Sequence, residues 1–102
     1  LKSSIKACEF IDKQLQDLYQ KAVKEKDYIM IITADHGNIE NMVDENNNPH
    51  TRHTLNRVPF IILSNNLKNI PLKDGSLQDI SPTILNLMKI AQPQEMSGKS
   101  LV

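Results

Sequence analysis

The sequence contains a single cysteine, Cys8, so it cannot form an internal disulfide bond. Neither sign of charge dominates, because 12 basic residues balance 12 acidic ones. A nucleic-acid or membrane-surface partner would call for a basic stripe, so we expect neither partner. No apolar run approaches the roughly 20 residues that span a bilayer. One unpaired thiol suits a reducing compartment, and we therefore expect a cytoplasmic protein.

The first residues, Leu1 to Ser4, are neither an initiator methionine nor a signal peptide. With 102 residues, the chain is long enough for one small domain and no more. We therefore expect a piece of a longer protein. Such a piece leaves neighbouring strands missing and sheet edges exposed, so it should be marginally stable in isolation.

Three segments predict the regular structure of the first part of the chain. Residues 3–26 predict an amphipathic helix, because apolar residues recur there at steps of three and four: Ile5, Cys8, Ile11, Leu15, Leu18 and Ala22. The apolar run Tyr28–Thr33 predicts a strand covered on both faces, as in the interior of an α/β sheet, and the run Val58–Leu63 predicts a second strand. Pro59 cannot donate a ladder hydrogen bond, so it belongs near the start of its strand or at an edge.

A second helix is predicted to begin at Ser81 or Asp79. Ser81 as the N-cap would place Pro82 at the first helical position, where its missing N–H costs nothing. Residues 94–102 are expected to form a tail with weak local structure. The side chains expected to form the buried face of this helix are Ile84, Leu85, Leu87 and Met88. Two helices and two strands make the predicted fold class α/β.

The chemically distinctive residues lie just beyond the first predicted strand, where Asp35, His36 and Gly37 follow one another. All three histidines of the chain lie between His36 and His53, and the third is His50. Carboxylate and imidazole ligands suit Zn, Mn or Fe. The alternative is solvated loop histidines, because a D-H-G tripeptide is a weak motif. Ligands collect at the carboxyl ends of strands in open α/β sheets, and this position favours a metal site.

A shared site has a consequence for the direction of the strands. If Asp35, His36 and His53 meet, the chain has returned to that end of the sheet by His53. The strand that begins near Val58 must then run away from the site, antiparallel in direction to the first strand though not necessarily beside it. A βαβ unit would make the strands parallel. The long loop of residues 38–57, which contains a surface turn cluster at Asn46-Asn47-Asn48-Pro49, favours the antiparallel arrangement.

Four spaced blocks resemble a known family. They are T-A-D-H-G-N-x-E-x-M, P-H-T-x-H-T-x-N-x-V-P-F-I, L-x-D-I-S-P-T-I-L and E-M-S-G-K-S-L. Together they are similar to the C-terminal part of the cofactor-independent (2,3-bisphosphoglycerate-independent) phosphoglycerate mutases of the alkaline phosphatase superfamily. The related phosphopentomutases share the first block but differ in the later histidine block. The resemblance implies that residues 1–102 are the C-terminal segment of a metal-binding, three-layer α/β/α phosphatase-like domain, with the substrate domain absent.

The resemblance also implies a chemistry. These enzymes interconvert 3-phosphoglycerate and 2-phosphoglycerate in glycolysis, through a phosphoserine intermediate at a site with two Mn²⁺ ions, and a monomer is expected. At the matching positions, Asp35 and His36 would bind one ion and His53 the other. His50 matches a position that is not taken to be a direct ligand.

No serine of this chain matches the motif of the nucleophile, which is expected upstream together with the remaining metal ligands. The chain would then supply metal ligands and no catalytic residue, and in isolation it should be inactive. Two alternatives stay open. One is a segment of a phosphohydrolase or phosphopentomutase of the same superfamily, and the other is a non-catalytic module that binds metal or a partner.

Overall fold

A computed structural model describes residues 2–50 and 52–102 of the chain. The chain divides into two compact units, Leu1–Leu67 and Lys68–Val102. The first unit contains a long helix and a two-stranded sheet, and the second contains a short helix. The α/β class predicted from the sequence is therefore confirmed. In the described part of the chain, no helix is both long and apolar enough to cross a bilayer.

Helix α1 spans Lys2–Leu18 and continues as a π-helical segment, Tyr19–Glu25. The helix predicted over residues 3–26 is thus present, but its last part is wound more loosely than an α-helix. Asp27 ends it with a φ of 59°, and its N–H donates to the Val23 carbonyl over 3.1 Å. A residue in the left-handed region is a common way to stop a helix.

The predicted apolar stripe is not a buried face of α1. Ile5, Ile11 and Leu18 are each about half exposed, and Cys8 is exposed as well. The segment that packs against the first strand is the π-helical one, through the fully buried Val23. A π-helical turn takes more residues than an α-helical turn, so a stripe drawn at α-helical spacing does not continue through it.

The two strands are β1, Met30–Thr33, and β2, Phe60–Leu63, and they pair antiparallel. Met30 faces Leu63 and Thr33 faces Phe60 at the two ends of the ladder. The predicted opposite directions are confirmed, and the strands are also direct neighbours. Both strands begin two residues later than their apolar runs, after the helix-ending turn in the first case and after a proline in the second.

The sheet is less covered than the sequence predicts. Met30 is buried and its neighbours in β1 are half-buried, but Ile61 of β2 is 42 % exposed. A sheet of two strands has an edge on each strand and is marginal without further packing. The expectation that the first strand is covered on both faces is therefore wrong for the structure of this chain, because Ile31 and Ile32 are only half-buried and Thr33 is exposed.

Helix α2, Ile80–Leu87, follows a 3₁₀ turn at Leu77–Asp79. The turn begins with a capping box, in which the Asp79 carboxylate accepts a hydrogen bond from the Ser76 N–H over 2.8 Å. Of the two starts predicted for this helix, Asp79 is confirmed, because it is the N-cap residue of α2, and Ser81 is wrong, because it lies inside the helix and is exposed. The start moves upstream because Asp79 satisfies the Ser76 N–H from three residues away.

The predicted buried face of α2 is also shifted. Pro82 and Thr83 are buried, whereas Ile84 is 39 % exposed and Met88 is 60 % exposed. Leu85 and Leu87 are half-buried. The packed side of the helix is the one that meets the C-terminal tail.

The tail has no helix or strand in residues 94–102, in agreement with the sequence, yet it is well anchored. Leu101 is 6 % exposed, and its N–H donates to the Thr83 hydroxyl over 2.9 Å. The Thr83 hydroxyl in turn donates to the Asp79 carbonyl over 2.6 Å. The Lys99 N–H donates to the Asp79 carboxylate and the Lys73 N–H to the Leu101 carbonyl. These bonds hold the tail against α2.

Candidate metal centre

The antiparallel pairing decides where the predicted ligands lie. β1 ends at Thr33, and the chain passes through Asp35 and His36 directly beyond that end. β2 begins at Phe60, opposite Thr33, so the residues just before β2 lie at the same end of the sheet. An isolated antiparallel bridge between Gly37 and Thr54 continues this pairing beyond the strands, with the Thr54 N–H donating to the Gly37 carbonyl over 2.8 Å.

This bridge brings two of the three histidines together. The rings of His36 and His53 stack with their centroids 3.6 Å apart and an interplanar angle of 18°. Each of these residues is the chain neighbour of a bridge residue, Gly37 or Thr54. The backbone pairing therefore brings the two rings to the same end of the sheet.

The side chains of Asp35 and His36 are suited to hold a cation together. Nδ1 of His36 lies 3.0 Å from the Gly37 carbonyl oxygen, and the tautomer with its proton on Nδ1 donates there. That hydrogen bond leaves the lone pair of Nε2 available to bind a metal ion, an arrangement typical of metal-binding histidines. Oδ2 of Asp35 lies 3.5 Å from the same Nε2, and the aspartate side chain is 82 % exposed. The carboxylate and imidazole thus face a common, accessible region.

His50 lies apart from this pair in its contacts. Its backbone N–H donates to the Met42 carbonyl over 2.7 Å, and its ring is half-buried with no hydrogen-bond partner at Nδ1 among the described residues. Across residues 2–50 and 52–102, no group of three or more His, Cys, Asp or Glu side chains is arranged to hold a metal ion. The assignment of Asp35, His36 and His53 as ligands therefore stays a prediction, and their donor types fit manganese.

The loop that carries His53 is ordered by its own hydrogen bonds. Its tip is closed by an antiparallel bridge between Val43 and Pro49. The Asp44 carboxylate accepts bonds from the N–H groups of Asn46 and Asn48, and Asn47 has a φ of 63°. Asparagine tolerates the left-handed region, so the predicted turn cluster is confirmed as an Asx-type turn.

Sequence reasoning missed Glu40, whose carboxylate fastens the base of the loop. Oε2 accepts hydrogen bonds from the Thr54 hydroxyl over 2.6 Å and from the Asn56 amide over 3.1 Å. Oε1 accepts one from the Asn38 N–H over 2.5 Å. The hydrogen bond from Thr54 is the largest cause that lowers the pKa of Glu40 to about 2, and desolvation of the carboxylate acts in the opposite direction. The signal in the sequence was the acidic residue three places after Gly37, within the first of the four blocks that carry the resemblance.

Gly37 is required for this close approach. It is buried, and a Cβ atom there would overlap the Thr54 hydroxyl and the Glu40 carboxylate. The absence of a side chain at Gly37 therefore leaves room for the hydrogen bonds that Thr54 and Glu40 make at the base of the loop.

The sequence profile of the Metalloenzyme superfamily matches residues 1–92, and the chain belongs to this family. Its relatives carry a more specific name. The chain is 50 % identical over 103 residues to a 2,3-bisphosphoglycerate-independent phosphoglycerate mutase of Wolbachia pipientis wMel. It is 48 % identical over 100 residues to the enzyme of that name from Francisella philomiragia, and 48 % identical over 104 residues to that of onion yellows phytoplasma.

These alignments take in nearly all of this chain but a small part of each relative. They cover 100 %, 97 % and 100 % of the chain, and 20 %, 19 % and 19 % of the three relatives, respectively. The chain thus spans about a fifth of the length of the curated relatives it matches. The family resemblance expected from the four sequence blocks is confirmed.

Proposed function

We propose that this chain is the C-terminal part of the metal-binding domain of a phosphoglycerate mutase that interconverts 3-phosphoglycerate and 2-phosphoglycerate in glycolysis. The observation that carries the proposal is the stacking of His36 and His53 beyond the ends of β1 and β2. The stacking brings together two sequence blocks that are separate along the chain, the block that contains His36 and the block that contains His53. The 50 % identity to a protein named for this activity favours the mutase over a phosphohydrolase or a phosphopentomutase.

The metal site of this proposal has two Mn²⁺ ions, with Asp35 and His36 as ligands of one and His53 as a ligand of the other. When bound, the ions would supply positive charge that holds phosphoryl oxygens and lowers the pKa of a hydroxyl nucleophile. The residues of this chain contribute donors and their orientation. Gly37 contributes to the orientation of His36, because its carbonyl oxygen accepts a hydrogen bond from Nδ1 and so fixes the ring.

The reaction proposed is transfer of the phosphoryl group to a serine hydroxyl and back to the neighbouring hydroxyl of the glycerate. The bond from phosphorus to the substrate oxygen breaks as the bond to the serine oxygen forms. We place that serine outside this chain. The hydroxyl of Ser64 accepts two loop N–H groups, Ser76 belongs to a capping box, and Ser100 bonds to the Asn86 amide and the Val102 backbone. These contacts are structural.

For the complete protein we propose a cytoplasmic monomer whose partner is its small phosphorylated substrate. The balance of 12 basic and 12 acidic residues supports a small-molecule enzyme over a nucleic-acid or membrane-surface protein. Gel filtration of the complete protein tests the monomer.

Substitution of the proposed ligands in the complete mutase tests the function. Asp35→Asn, His36→Ala and His53→Ala should each abolish or severely reduce activity and lower the manganese content measured by elemental analysis. His50→Gln is the matched control, because it removes an imidazole from the same loop and should leave the manganese content unchanged. Full activity and full metal content in the His53 variant would overturn its assignment as a ligand.

A further inference from the structure

We propose that Glu40 is a positioning residue that holds His53 beside His36 by clamping Thr54 to the end of β1. The inference rests on the proposed function, in which the two histidines are metal ligands. It assigns to Glu40 a role in setting the separation of those ligands, and it makes the loop of residues 38–57 part of the metal centre.

The clamp begins with three donors that converge on one carboxylate. The Thr54 hydroxyl and the Asn56 amide both donate to Oε2, over 2.6 and 3.1 Å, and the Asn38 N–H donates to Oε1 over 2.5 Å. An ionised carboxylate is an acceptor at both oxygens, so it matches three donors without conflict. A glutamine would present an N–H₂ group to at least one of these donors.

The donors connect the two sides of the site. Asn38 lies two residues after His36, and Thr54 lies directly after His53. The Thr54 N–H also donates to the Gly37 carbonyl over 2.8 Å, so backbone and side chain of Thr54 are both fastened. The Thr54 hydroxyl additionally accepts the Asn56 N–H over 3.3 Å. Glu40 therefore ties together the two chain segments whose neighbouring histidines stack.

The carboxylate is engaged in this clamp, which separates a positioning role from direct metal binding. Both oxygens accept hydrogen bonds from protein donors, and charge-assisted bonds of this kind are among the stronger ones in proteins. The Glu40 carboxylate thus has three hydrogen-bond partners within the protein, namely Thr54, Asn56 and Asn38.

The test uses the complete mutase and two variants that open the clamp from opposite sides, Glu40→Ala and Thr54→Val. Thr54→Ser is the matched control, because it keeps the hydroxyl. The affinity for added Mn²⁺ should fall by about tenfold in each opening variant, the low end of the effect of residues that orient metal ligands. Thr54→Ser should stay near the parent value. The double variant should lose less affinity than the two single losses combined, because both substitutions remove the bond between the Thr54 and Glu40 side chains.

A second readout does not depend on metal or on activity. In the metal-free protein, proton NMR should show ring-current shifts of the His36 ring protons, caused by the stacked His53 ring and lost in His53→Ala. We expect the same shifts to collapse in Glu40→Ala and Thr54→Val and to persist in Thr54→Ser. Saturating Mn²⁺ should restore kcat in the two opening variants, which separates positioning from a loss of folding.

The outcomes distinguish this inference from the proposed function. Unchanged ring shifts and unchanged Mn²⁺ affinity in Glu40→Ala would overturn the inference. A loss of metal in Glu40→Ala with parent affinity in Thr54→Val would also overturn it, because Glu40 would then act as a ligand. If instead Asp35→Asn and His53→Ala keep full metal content and activity, the proposed function fails, whatever the ring shifts show.

Discussion

The rings of His36 and His53 stack at 3.6 Å although a long loop separates the two residues along the chain. Their contact depends on the bridge between Gly37 and Thr54, and therefore on the antiparallel direction of β1 and β2. A parallel pairing would have carried His53 to the opposite end of the sheet. The strand direction is thus a condition for the candidate site.

The first prediction concerns the close approach at Gly37. Gly37→Ala should destabilise the protein by about 1–3 kcal/mol, the usual cost of overpacking, because the added methyl group overlaps the Thr54 hydroxyl and the Glu40 carboxylate. Chemical denaturation of the complete protein measures the change. Asn47→Gly, at a left-handed position in the tip of the same loop, serves as the tolerated control. If the two variants are equally stable, the base of the loop has space for the added methyl group and the prediction is wrong.

The second prediction concerns pH. The pKa of Glu40 is lowered from 4.5 to about 2, chiefly by the hydrogen bond from Thr54. A carboxyl group with a depressed pKa stabilises the fold fully above its unfolded pKa, and this contribution is lost as the pH falls from 4.5 through about 2. The difference in unfolding free energy between the parent and Glu40→Gln should therefore be largest above pH 4.5 and shrink in more acidic buffer. A difference that grows on acidification would contradict this.

The third prediction compares two serines at the start of α2. Ser76→Ala removes a residue of the capping box and should cost about 1 kcal/mol of stability. Ser81→Ala replaces an exposed residue within the helix and should change stability by less than about 0.5 kcal/mol. Thermal unfolding of the two variants side by side decides between them. A larger loss of stability in Ser81→Ala than in Ser76→Ala would show that Ser81 is the cap.

The fourth prediction concerns the chain in isolation. We expect residues 1–102 to show no mutase activity and to bind Mn²⁺ weakly, because manganese prefers about six donors and the proposed residues provide two to one ion and one to the other. Water would have to fill the remaining positions. A coupled mutase assay with added manganese, together with calorimetry, measures both properties. Turnover that survives repurification and disappears in Asp35→Asn would show that the chain is self-sufficient.

The features that the sequence predicted well depend on short-range patterns and on one argument about connectivity. Apolar runs located both strands, and the requirement that His53 return to Asp35 gave their relative direction. The last residues of both strands, Thr33 and Leu63, are as predicted, but both strands start later than predicted, after a helix-ending turn at Asp27 and after the proline at position 59. The roles of Asp35, His36 and His53 as metal ligands stay predictions, because their proposed partners lie outside this chain.

The features that the sequence did not predict depend on contacts between distant side chains. The Glu40 clamp joins residues that no local pattern relates, and an exposed glutamate in a loop is ordinarily solvated. Ser-Pro at positions 81 and 82 has the pattern of a helix start. The helix starts upstream, where the Asp79 carboxylate accepts hydrogen bonds from the N–H groups of Ser76 and Lys99. Burial of the Thr83 hydroxyl against the tail required knowledge of where the tail docks.

The π-helical segment Tyr19–Glu25 makes one stretch of the first helix tolerant of a change in chain length. A π-helical turn contains more residues than an α-helical turn. Deletion of one residue within the segment should therefore let the α-helix run through, with the side chains before the deletion close to their present positions around the helix axis relative to Val23. Deletion of one residue within Lys2–Leu18 should instead rotate every side chain before it by about 100° relative to Val23.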